Sequence, residues 1–145
     1  MKTQAKDLTD SDFIELIIRG ASRLTPGCVQ KLVSELPEVR NRFNRLNEAG
    51  RPDAERQFAF LSEVLEHVWT DKYHQMPYGA ALEAAFAISY FVREGDVIPD
   101  TLGAIGFIDD IAVAQIVLLR NEVAYRKFSD ITNIPLANIS LGTDI

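Results

Sequence analysis

The 145-residue chain is 47% hydrophobic and 25% charged, the balance of one soluble domain with a single core, which excludes a wholly disordered protein. Its 21 Asp and Glu outnumber 15 Lys and Arg, and a formal charge of −6 at pH 7 repels phosphate backbones and disfavours broad nucleic-acid binding. The lone cysteine, Cys28, cannot form an intrachain disulfide and suits a reducing compartment, so a cytoplasmic location is expected.

The N-terminus, MKTQAKDLTD, is polar and lacks the apolar core of a secretory signal. The longest apolar stretches, 84–92 and 111–119, fall well short of the ~20 residues that span a bilayer, so no transmembrane segment is expected.

In chain order, Thr9 and Asp12 form a weak capping box before a first helix whose stripe is Phe13, Ile17, Ala21 and Leu24. Thr25 and Pro26 read as cap and first turn of a second helix with Val29, Leu32, Val33 and Leu36 on its apolar face. A third begins at Pro37, carries Val39, Phe43 and Leu46, and stops at Gly50.

From Asp53, Phe58, Leu61, Leu65 and Val68 make one face of a long core helix, widened by Ala54, Val64 and Trp69. Residues 78–93, rich in Ala with Leu82, Phe86 and Tyr90 in register, predict a buried central helix. Residues 109–128 predict a last long helix, and 131–145 a loosely packed tail. No stretch of useful length alternates with the strand period.

Between the last two helices, EGDVIPDTLGAIGFIDD holds five carboxylates, Glu94, Asp96, Asp100, Asp109 and Asp110, with no Lys or Arg from Glu94 through Leu119. An EF-hand is excluded, because a loop starting at Asp96 puts Thr101 where Gly is needed and Phe107 where a bidentate Glu is needed. Three readings stay open. Asp96, Asp100, Asp109 and Asp110 converge on a ligand or a divalent cation such as Mg²⁺, Mn²⁺ or Ca²⁺; the segment, Glu94 included, meets a partner; or, as expected here, the carboxylates cap helices and form turns, with Gly95 and Asp96 reversing the chain and Asp109 and Asp110 meeting free N–H groups of the last helix.

The stretch 87–119, with SYF before the turn, a D-hydrophobic-IPD at Asp96 to Asp100 and a G-aromatic-hydrophobic-DD at Gly106 to Asp110, resembles the YkvA-like domain, domain of unknown function 1232. The resemblance implies an α-helical hairpin around an acidic turn and carries over no established activity. Family members commonly have Pro just before the first Asp, where this chain has Glu94-Gly95. Some relatives carry the motif in membrane-associated contexts, which implies a peripheral membrane role as an alternative.

Three further sets carry chemistry. Glu63, His67, Asp71 and His74 follow at helical spacing, as a zinc or acid–base set or, as expected here, a solvated polar face opposite the core. Cys28, in the first turn of a helix, is either an activated thiol or, as expected, a small buried core residue. Arg40, Arg42, Arg45, Arg51 and Arg56 form a basic stretch around Phe43, which either meets RNA or an acidic partner or, as expected here, is a solvated face that can oppose the acidic turn within the fold or in a dimer.

The sequence therefore predicts an all-α single domain of about six helices over 1–130, with an antiparallel hairpin over about 78–128 at its centre. Small acidic helical proteins without a catalytic set act by surface complementarity, so the leading expectation is a non-enzymatic interaction protein, such as a regulator, adaptor or immunity-type inhibitor, with a protein partner or a second copy of itself. A carboxylate-based metal-dependent enzyme using the 94–110 segment and a peripheral membrane protein are the alternatives.

Overall fold

The computed structural model describes residues 9–97 and 108–136, and their side chains except those at 93–97, 108 and 109. All regular structure among these residues is helical: α1 Asp10–Ser22, α2 Pro26–Ser34, α3 Leu36–Arg42, α4 Asn44–Glu48, α5 Pro52–Trp69, α6 Tyr78–Val97, α7 Ile108–Arg120 and α8 Glu122–Thr132. None of the described helices is long and apolar enough to cross a membrane.

The helix ends follow from local chemistry. Thr9 accepts from the Asp12 N–H and Asp12 returns a bond to the Thr9 N–H, so the capping box forms in full. Thr25 caps α2 through the Cys28 N–H, with Pro26 behind it. After α4, Gly50 adopts φ +84°, and bonds from Gly50 N to Asn47 O and from Arg51 N to Leu46 O complete a Schellman stop.

Three expected boundaries move. The third predicted helix is two, α3 and α4, because at Phe43 the hydrogen bonding tightens to i, i−3 and the ring turns inward onto Phe58 and Phe91. The last predicted helix also divides, at Asn121, whose side chain bonds the Val117 carbonyl in competition with the backbone ladder. Helix α6 runs on through Val97, so Gly95 and Asp96 continue the helix where a chain reversal was expected.

Helix α6 is central and packs against α1, α2, α5 and α7. Ala80, Ala81, Ala84, Ala85 and Ala87 are all buried on it, and such small side chains admit neighbours closely. Against α1 the fit is tight, since a Cβ on Gly20 would stand 2.0 Å from Phe86 Cε1. Early α6 bonds to late α7, through Glu83 and Arg120, so the two helices run antiparallel as the sequence predicts. Phe43, Phe58 and Phe91 interlock at one end of the core, with centroids 4.8 to 5.5 Å apart. Ile134 and Leu136, expected in a loose tail, pack on the core.

Candidate functional site

The acidic segment divides between described and undescribed residues. Asp100 lies outside the described residues. Glu94 and Asp96 fall in the last turns of α6 and Asp109 in the first turn of α7, with side chains outside the description. Asp110, the third residue of α7, is 1% exposed and engaged with another group of the chain. Among the described residues no group of three or more His, Cys, Asp or Glu is placed to hold a metal ion.

The basic stretch does reach α6 near that segment. Arg42 Nη1 donates to the Val92 carbonyl at 3.4 Å, two residues before Glu94. Arg40 turns instead to α5, where Nε donates to Ser62 Oγ at 3.0 Å and Nη2 to Glu66 Oε1 at 2.6 Å. The Glu66 carboxyl is held below the usual glutamate range by that hydrogen bond, against some desolvation, with the Arg40 charge adding to it.

The Glu63, His67, Asp71, His74 face does not form as expected. Asp71 takes φ +66° and ends α5 in a second Schellman stop, with Lys72 N bonded to His67 O, because a short Asp side chain tolerates the left-handed region. His74 and Asp71, 3.2 Å apart, are exposed beyond the helix. His67 is half-buried: its ring meets the edge of Phe128 at 5.5 Å, and Nδ1 lies 2.9 Å from the Glu63 carbonyl.

Cys28 is also corrected, from buried to exposed. At the third position of α2 its side chain projects beside the cap, and Thr25 Oγ1 donates to Sγ at 3.1 Å. The Thr25 hydroxyl lowers the thiol pKa most, with a Thr25 backbone hydrogen bond and the Lys31 charge acting in the same direction.

Among the described residues a dense polar cluster lies at the α7–α8 junction, where no sequence motif signals it. Glu83, 8% exposed, receives Arg120 Nε on Oε1 at 3.0 Å, Arg120 Nη2 on Oε2 at 2.9 Å and Asn121 Nδ2 on Oε1 at 2.9 Å. One turn further on, the buried Tyr125 hydroxyl donates to the Ala80 carbonyl at 2.7 Å, and its pKa is raised well above the usual tyrosine value by burial first and the Glu83 charge second. Glu83 and Arg120 stand 37 positions apart, so helical spacing could not pair them.

These bonds tie the end of α7 and the start of α8 to α6. Outside it the junction opens a groove of about 480 Å³ lined by Pro77, Arg120, Ala124 and Lys127, with Leu119 50% and Val123 86% exposed beside it. Single exposed apolar residues are ordinary; here two of them lie four positions apart beside the groove.

No curated protein and no solved structure matches the chain. A family comparison finds a match over about a quarter of it, within the α6–α7 hairpin that carries Glu83 and Asp110. Residues 80–115 match the family described as protein of unknown function (DUF1232), in line with the resemblance read from the 87–119 motif.

Proposed function

We propose that the chain is a non-enzymatic helical interaction protein of the cytoplasm, in the class of regulators, adaptors and immunity-type inhibitors, and that its protein partner seats on the α7–α8 junction. The observation that carries this reading is the exposure of Leu119 and Val123 beside the groove, on helices locked in place by Glu83. Interfaces are built around such rigid apolar anchors with a polar rim. Glu122 is occupied by Arg126, whereas Lys127 makes no ion pair with any described residue, so the rim favours a partner that brings an apolar ridge flanked by carboxylate.

The test compares the native chain with Leu119→Ser/Val123→Ser. A protein captured by the native chain, purified, and shown to bind it one to one should bind the double variant at least about tenfold more weakly, the loss expected when two anchoring apolar side chains are removed. Equal affinity for both chains overturns the assignment of the surface. Native chain that self-associates in light scattering while the variant is monomeric assigns the junction to a second copy instead.

A further inference from the structure

Between α1, α2 and α6 lies a second, partly open cavity of about 540 Å³, within the size range of small-molecule pockets. Its apolar wall is Leu16, Leu24 and the Phe86 ring. Gly20 makes that wall possible, since any side chain there would displace the ring. The charged part of the lining is Arg19 and Arg23, one turn apart on α1, and Cys28 stands beside them.

No carboxylate is among the described residues that line this cavity, in a chain with 21 Asp and Glu against 15 Lys and Arg. Arg19 is paired on the open surface with Glu15 at 2.7 Å, and Arg23 makes no ion pair with any described residue. Lys31, whose charge is felt at Cys28, adds a third cation nearby. An acidic protein thus has a cationic, apolar-walled pocket whose described lining shares no residue with the α7–α8 groove.

From this conjunction we infer that the cavity binds a free monocarboxylate with an apolar body, of the size of a medium-chain fatty acid. The chain lies against Leu16, Leu24 and Phe86, and the carboxylate is received by the guanidinium of Arg23 with Arg19 beside it. A planar guanidinium matches a carboxylate with two parallel hydrogen bonds, and the apolar wall selects against small inorganic anions, which gain nothing from it. This site is independent of the proposed protein partner.

Octanoate, kept below its micellar concentration, is the probe, with octanamide as its uncharged counterpart. Calorimetric titration of the full chain should give saturable octanoate binding, about tenfold weaker in Arg19→Ala/Arg23→Ala and for octanamide, the scale of one lost charge-assisted hydrogen bond. Both arginines are exposed, so the double variant should fold as the native chain does, which circular dichroism checks. Bound octanoate should also slow alkylation of Cys28 by iodoacetamide several-fold. Absence of saturable binding, equal binding by the double variant, or an unchanged alkylation rate at saturation overturns the inference. Phosphatidylglycerol vesicles that retain the native chain when free octanoate does not bind would assign the arginines to a membrane surface and overturn it as well.

Discussion

Arg120 grips Glu83 with both edges of its guanidinium, Nε at 3.0 Å from Oε1 and Nη2 at 2.9 Å from Oε2, and so ties the end of α7 to the start of α6. The pair is asymmetric, because Glu83 is nearly enclosed while about a third of the Arg120 side chain meets solvent. Removing the arginine leaves a buried carboxylate with Asn121 as its remaining partner among the described residues, and water reaches it only in part. Arg120→Met should therefore lose on the order of 2 kcal/mol in urea denaturation, below the cost of breaking a fully buried pair. The double variant Glu83→Leu/Arg120→Met should lose less than Arg120→Met alone, because no charge is then stranded.

The Arg40 contacts predict a pH dependence. Arg40 depresses the Glu66 pKa in the folded state, chiefly by its hydrogen bond, so the pair stabilises the fold fully above the ordinary glutamate value of 4.5 and loses that contribution as pH falls through the folded pKa. Thermal unfolding of Arg40→Met should fall below that of the native chain at pH 7, and the gap should narrow below pH 4.5. It should not close, because the bond from Arg40 Nε to Ser62 is indifferent to Glu66 protonation. A gap constant from pH 7 to pH 3 would show that the carboxylate contributes nothing.

Cys28 should react with iodoacetamide along a pH profile whose midpoint lies below that of an ordinary thiol, since only the thiolate is nucleophilic and Thr25 stabilises it. Thr25→Val removes the hydroxyl and should move the midpoint up, while Thr25→Ser should restore it. The valine variant also loses the α2 cap, at about 1 kcal/mol, so the profiles are compared well below the unfolding transition.

Local features of the fold were legible because they depend on residues a turn or two apart. The stripe of Phe13, Ile17 and Ala21, the Thr9 and Thr25 caps and the Gly50 stop all follow from spacing and stereochemistry within one helix. What was not legible depends on contacts across the chain. His67 has the spacing of a wet face, but α8 brings Phe128 onto it. Cys28 looked like core because small residues often are, yet the third position of α2 faces outward beside Thr25. Glu83 sits among alanines with no local partner, and only the antiparallel return of α7 supplies Arg120. The break at Asn121 has the same origin, since the side chain that bonds Val117 also reaches across to Glu83.

The acidic segment yields the last prediction through Asp110. Being the third residue of α7, it lies in the turn whose N–H groups lack helical partners, where a negative charge also complements the helix dipole. It is 1% exposed, so its carboxylate has given up water for protein contacts, and truncation should cost more than loss of a surface cap. Asp110→Ala should lose about 2 kcal/mol in urea denaturation, whereas Asp110→Asn, which keeps an acceptor oxygen and the volume, should lose roughly half of that. On this reading Mg²⁺, Mn²⁺ or Ca²⁺ at low millimolar concentration should move the melting temperature little in either chain. A divalent ion held by the segment would give the opposite pattern, because a bound ion stabilises the native state by mass action and each ligand charge removed weakens it. A rise of several degrees with metal, lost in both Asp96→Asn and Asp110→Asn, would make the segment a cation site and move a metal-dependent activity ahead of the interaction reading.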